Sequence, residues 1–247
     1  MRVLLSLSLV LLLASPASAR RHPDPAGENA AKAPRVIVIG FVGGFIKHDD
    51  MVHSGVQLAA LLRAEYAASR IHVEVFENHR GDDAHAAVLR LLDVDGDGKL
   101  SADEKQNARI VIYGHSWGGS ETVELARRLE KDGVPVLLTI QVDSIRKPGE
   151  DDAVIPANVA QAANFYQVDG LLHGRAEIRA EDASRTQILG NFRSSYKSQA
   201  LTCSGYPLIA SIFEKPHIQI ECDPNVWNQV GSLIRSKLPP RFESQGQ

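Results

Sequence analysis

Short apolar runs alternate with stretches of helical spacing along most of the chain. Val36 to Ile39 are four consecutive β-branched residues ending at Gly40, the mark of a strand buried on both faces. Ile71 to Phe76 is read as a second strand, Ile110 to Tyr113 as a third and Val134 to Val142 as a fourth. Between these runs the apolar period changes. Leu58, Leu61, Leu62 and Tyr66 recur at helical spacing over Val56 to Ala68, and Val88, Leu91 and Leu92 do so over Ala84 to Leu92. A third helix is predicted over Gly119 to Lys131. Asn158 to Gln167 is expected to hold a turn of helix and a fifth strand. Residues 170 to 215 carry no clear period and are expected to form loops, short strands or a partial cap. Val226 to Leu238 reads as an amphipathic closing helix, stopped by Pro239 and Pro240. Strand alternating with helix, with runs apolar on both faces, predicts an α/β fold: a mostly parallel sheet with helices on both faces. There is no internal repeat.

Composition narrows the function classes. Hydrophobic residues at 44% and charged residues at 23% are globular values. A length of 247 residues is ample for a hydrophobic core without help from disulfides or metal. The net charge of -3 and the lack of a Lys/Arg stripe exclude a nucleic-acid partner. Arg2, the apolar run Leu4 to Leu13 and the small residues Ala17-Ser18-Ala19 together read as a signal peptide over residues 1 to 19. That run is shorter than the ~20 residues a membrane span needs. Export is therefore expected, to the periplasm or outside the cell, with no transmembrane segment in the mature chain. Residues 20 to 34, rich in Pro, Ala and charge, read as a flexible linker. The folded domain is expected over 35 to 240, with 241 to 247 a disordered tail. Export also bears on the two cysteines, Cys203 and Cys222. An even count in an oxidising compartment predicts a disulfide, which would stabilise the fold by about 3 kcal/mol on the chain-entropy model.

Gly114-His115-Ser116-Trp117-Gly118 matches G-x-S-x-G. The pentapeptide alone would arise by chance in about one chain in ten of this length. Its setting is more specific, because an apolar strand ends just before it and a helix starts just after. Such a turn pushes Ser116 out at the carboxyl edge of the sheet. At these residues the chain resembles the α/β-hydrolase superfamily, and GHSWGG is similar to the elbow of its lipases, esterases and thioesterases. The resemblance spans roughly residues 35 to 238 and implies an acyl-transfer site on Ser116. One oxyanion donor would be the N–H of Trp117. The other would come from the loop Phe41-Val42-Gly43-Gly44-Phe45, as the N–H of Val42 or Gly43. The implied chain order is serine, acid, histidine. Asp143, closing the run Val136 to Val142, is the preferred acid, and Asp169, after Asn164 to Gln167, is its competitor. His217 is expected on a loop before the closing helix, as the base.

Asp93 to Glu104 fits a twelve-residue EF-hand loop. Asp93, Asp95 and Asp97 fill positions 1, 3 and 5, Gly98 makes the turn at 6, Lys99 offers its carbonyl at 7, and Ser101 can hold a water at 9. Glu104 is the bidentate ligand at 12. A bound Ca²⁺ is expected, and no organic cofactor. The loop enters the amino end of the strand leading to Ser116, so the ion is expected to be structural. A further cluster, Lys47-His48-Asp49-Asp50 with His53, follows the oxyanion loop and is read as polar groups at the pocket rim rather than a transition-metal site. These readings converge on an exported serine hydrolase acting on a small-molecule or lipid ester. The rival is a calcium-dependent binding protein on a catalytically inactive scaffold of the same fold.

Overall fold

The computed structural model describes residues 36–198, 201–206 and 215–240. The expected signal peptide, linker and tail lie outside the described residues. The first strand, β1 (Val36–Val42), is followed by α1 (Ser54–Glu65), β2 (Ile71–Glu77), α2 (Gly81–Leu92) and the single-turn α3 (Ala102–Gln106). Then come β3 (Ile110–His115), α4 (Trp117–Lys131), β4 (Val136–Val142), β5 (Val154–Ile155) and β6 (Val159–Tyr166). The last described elements are β7 (Arg179–Ala180), β8 (Gln187–Arg193), α5 (Lys215–Cys222) and α6 (Pro224–Arg235).

Six strands pair in the order β2-β1-β3-β4-β6-β8, and every pairing is parallel. Parallel neighbours need crossovers; helices supply the first three, on both faces, and segments carrying β5 and β7 supply the last two. Successive side chains of a strand point to opposite faces, so the apolar run of β1 feeds two cores at once. Val36, Val38 and Val42 join Leu58 and Leu62 of α1 and Val230 and Ile234 of α6. Ile37, Ile39 and Phe41 join Val88 of α2 and Leu125 and Leu129 of α4. The fold is thus the predicted α/β arrangement, a parallel sheet covered on both sides. Strand order reverses between β1 and β3, since the crossover after β1 runs outward to β2 and the next runs inward. The carboxyl ends of these two strands therefore flank a crevice, the usual place for a ligand in an open α/β sheet.

Three local expectations are corrected. Residues 159–166 form one continuous strand, without the turn of helix expected at its start. Residues 187–193, expected only as loop or short strand, add the outer strand β8. Its Gln187, Gly190, Asn191 and Arg193 break the apolar pattern, because an edge strand is half-covered and needs polar positions. His217 lies in the first turn of a helix, α5, instead of a loop. Its isoleucines at 218 and 220 favour no helix locally, but burial of Ile218 and Ile220 under the sheet outweighs that preference.

Candidate active site

Ser116 sits between β3 and α4 at the carboxyl edge of the sheet. Its backbone adopts φ 57° and ψ -128°, a strained region that a residue with a side chain holds only when its surroundings enforce it. Here they do. The Ser116 N–H donates to the Val142 carbonyl at 3.0 Å, and the Ser116 carbonyl accepts from Gly119 at 2.9 Å and Ile145 at 3.1 Å. Close packing explains the motif's glycines. A Cβ on Gly114 would lie 2.2 Å from the Gly118 carbonyl oxygen, and one on Gly118 would lie 2.4 Å from that of Phe41. A Cβ on Gly43 would lie 2.6 Å from the Ser116 Cβ and 3.3 Å from its Oγ. The loop after β1, with Val42 ending the strand and Gly43 following, therefore touches the serine side chain directly. Trp117 opens α4, whose first turn holds no acidic residue. The unpaired N–H groups there favour negative charge.

Asp143 directly follows β4, with a positive φ of 42°, and is fully buried. Its Oδ2 accepts from His217 Nδ1 at 2.7 Å and from Gln167 Nε2 at 2.8 Å. Its Oδ1 accepts from the N–H groups of Gly174 at 2.6 Å and Gln167 at 3.2 Å. A carboxylate beside Nδ1 places the imidazole proton there and leaves Nε2 as the acceptor. The competitor Asp169 is engaged elsewhere. It accepts from the Tyr196 N–H at 2.6 Å and the Ser195 hydroxyl at 2.8 Å, and these bonds hold its carboxyl below the usual carboxylate range. His217 is also buried, and its ring lies 4.5 Å from that of His115, the residue preceding Ser116. Residues that follow β3 and β4 and a residue of α5, about a hundred positions from Ser116, are thus gathered at one sheet edge.

Three partners escaped the sequence reading. Gln167 donates to Asp143 and to the Leu172 carbonyl, while its own carbonyl accepts from Asp169 and Gly170. Gly174 holds the other side of the carboxylate. His115 is a variable position of the motif. Nothing in a single sequence marks these three, since their roles arise from contacts across the fold.

Cys203 and Cys222 are disulfide-bonded, with Cα atoms 5.9 Å apart. Cys222 ends α5, so the bond tethers the helix that carries His217. Two large apolar side chains at this edge are almost fully exposed. Phe45, 94% exposed, meets the Trp117 ring edge-on at 6.0 Å, and Leu171, 100% exposed, caps the loop between Gln167 and Gly174. The rim histidines separate. His48 Nδ1 bonds Glu77 at 2.8 Å, and His53 Nδ1 faces Glu221 at 3.3 Å. Burial raises the Glu77 carboxyl, but the His48 side chain and backbone N–H bonds outweigh it and bring its pKa down to about 2.

At the opposite sheet edge, Asp93, Asp95 and Asp97 converge, with a ligating atom of each within 4.8 Å of the others. Asp93 Oδ2 accepts from the Gly98 N–H at 3.0 Å across the turn, where Gly98 has φ 80°. Glu104 does not join that group. Its Oε1 accepts from the Val94 N–H at 2.7 Å, and its Oε2 from the Ser101 N–H at 2.8 Å, in a capping box that starts α3. Among the described residues no other group of three acidic, His or Cys side chains converges in this way. Nor is any described helix long and apolar enough to cross a membrane.

No family model and no curated protein matches the chain. Solved structures similar in chain path include human thioesterase 2, 10% identical with a TM-score of 0.43 over 86% of this chain and 100% of that one. A cutinase-like protein from Cryptococcus sp. is 12% identical with a TM-score of 0.41, over 84% and 96%. An acetylxylan esterase is 12% identical with a TM-score of 0.40, over 84% and 100%.

Proposed function

We propose that the chain is an exported serine hydrolase that cleaves carboxylic esters through an acyl-enzyme on Ser116. The observation that carries this reading is the buried 2.7 Å bond between His217 Nδ1 and Asp143 beside the strained Ser116 turn. In the mechanism, Ser116 Oγ attacks the ester carbonyl carbon and gives its proton to His217 Nε2. Asp143 holds the imidazole tautomer and stabilises the imidazolium. The oxyanion accepts from the Trp117 N–H and from Gly43 or Val42. Contact with Ser116 favours Gly43. Collapse of the tetrahedral species expels the alcohol, which takes the proton from His217, and water repeats the sequence to release the acid. The exposed Phe45 and Leu171 support an ester with an apolar group, lipid or thioester included.

A Ca²⁺ ion belongs to the same proposal as a structural element. The donors are all oxygen, as a hard cation requires: the carboxylates of Asp93, Asp95 and Asp97, the Lys99 carbonyl and Glu104. Glu104 already accepts backbone N–H bonds, and a carboxylate has capacity for both those and an ion. β3, six residues at ~3.3 Å each, separates this loop from Ser116 by about 20 Å. The ion therefore acts on stability and not on the ester. The disulfide supports export. The test is labelling by a fluorophosphonate together with hydrolysis of esters graded by chain length. Wild type is expected to label and turn over, and Ser116→Ala to do neither above a residual several orders of magnitude lower. Folded wild type that neither labels nor hydrolyses any ester would favour the inactive scaffold.

A further inference from the structure

Beneath the oxyanion loop lies a small cavity of about 10 Å³, whose walls include Val42, Gly43, His53, His115, Glu221 and Trp227. That volume corresponds to about one water-sized sphere. Three of its wall residues each carry a buried polar atom without a hydrogen-bond partner among the described residues: His115 Nε2, Glu221 Oε2 and Trp227 Nε1. All three residues are more than nine-tenths buried. Buried polar atoms are almost always paired, and three orphans around one such cavity share a single unmet need. The inventory is complementary. Trp Nε1 only donates, a carboxylate accepts, and a neutral imidazole nitrogen does either. A water molecule, with two donors and two acceptor sites, can serve all three.

We propose that this cavity is a built-in hydration site for one water molecule, and that through it Glu221 is a positioning residue for the His217 imidazole. Glu221 follows His217 by one turn of α5, so both side chains leave the same helix face. Its Oε1 accepts from the Ser54 N–H at 3.0 Å, at the amino end of α1, and from His53. This fastens α5 to α1. Its Oε2, through the water, reaches His115, and the His115 ring packs against that of His217. Burial, with His217 and His53 nearby, holds His115 well below the ordinary histidine pKa, so its ring is neutral and has a tautomer to fix. The ring also hydrogen-bonds the His217 backbone, and a defined partner at Nε2 completes the pair of contacts that fixes the tautomer and the plane on which His217 rests. The inference rests on the proposed hydrolase reading only for its effect on turnover.

The first measurement uses the wild-type protein. A high-resolution crystal structure is expected to show one water within hydrogen-bond reach of His115 Nε2, Glu221 Oε2 and Trp227 Nε1. A dry cavity bounded by the same atoms would overturn the proposal. The second uses Glu221→Leu and Glu221→Gln, neither of which removes a group that touches substrate. In Glu221→Leu the nitrogen NMR signals of the His115 ring are expected to move from one tautomer to a mixture. Its kcat on a soluble ester is expected to fall about tenfold with KM nearly constant. Glu221→Gln, which keeps an acceptor for Ser54 and a polar group for the water, is expected to recover most of both. Unchanged His115 signals and kcat in Glu221→Leu would overturn the positioning role. If Glu221→Leu does not fold, the wild-type protein still decides the question: its His115 ring nitrogens are expected to report a single tautomer, and a tautomer mixture in wild type, like a dry cavity, would overturn the proposal. Water and tautomer are read without turnover, so a failure of the ester reading shows only as an inactive wild type and stays distinguishable.

Discussion

Replacing Asp143 by Asn separates the acid from its competitor. The carboxylate accepts four N–H bonds, two at each oxygen. An amide has a single acceptor oxygen. At the Oδ1 side two rigid backbone N–H groups demand an acceptor, so the amide oxygen stays there and the NH₂ turns toward His217. The imidazole must then present a bare Nδ1 and carry its proton on Nε2. In that tautomer it cannot take the Ser116 proton. Loss of tautomer control in a Ser-His-Asp site lowers kcat by about 10⁴, or ~5.5 kcal/mol of barrier at 1.36 kcal/mol per tenfold. Losing charge-assisted bonds also lowers stability, by about 1.5–3 kcal/mol. Asp169→Asn disturbs its bonds to Ser195 and Tyr196 and its ion pair with Lys197, and should leave kcat within about threefold, as a change outside the reacting groups does. The assay is initial rates on a soluble chromogenic ester and the rate of fluorophosphonate labelling, with Tm measured to show that each variant is folded. Folded Asp143→Asn that keeps more than about a tenth of wild-type turnover, or Asp169→Asn that falls as far, refutes the assignment.

Three further outcomes are expected. Gly118→Ala, whose Cβ would lie 2.4 Å from the Phe41 carbonyl oxygen, should lower stability by at least the ~1–3 kcal/mol of an overpacked core and abolish labelling; a fully labelled variant with unchanged Tm would contradict the tight elbow. Ca²⁺ titrated into chelator-treated protein should raise stability by about 2.7 kcal/mol at a hundredfold excess over Kd, with kcat well below Tm little changed, and Glu104→Gln should remove that rise; a large change in kcat would mean that the ion acts on the site. The Glu77 carboxyl, lowered in the fold from 4.5 to about 2, contributes stability that is present above pH 4.5 and lost as pH falls through 2. Denaturant melts should therefore show a shallower acid loss in Glu77→Gln over that window, and an unchanged acid limb would remove Glu77 from the account.

Much of this was legible from residue order alone. Runs such as Val36 to Ile39 are too apolar for a strand with a wet face, so a parallel sheet covered on both sides follows from them. The turn at Ser116 was equally local, because strand, Gly-x-Ser-x-Gly and helix are contiguous. The spacing of Asp93, Asp95 and Asp97 likewise brings three carboxylates together within one loop. Residue order preferred Asp143 over Asp169 without separating them. Both follow strands, and only the bond to His217, 74 positions away, separates them. Gln167, Gly174 and His115 carried no local signal at all, since each acts through a contact made after the chain has folded back. The helix at His217 and the strand at 187–193 were hidden for a related reason: local propensity is worth a fraction of a kcal/mol per residue, and burial against the sheet outweighs it. Periodicity thus specified the layers and the contiguous turns, while tertiary packing decided which distant side chains meet.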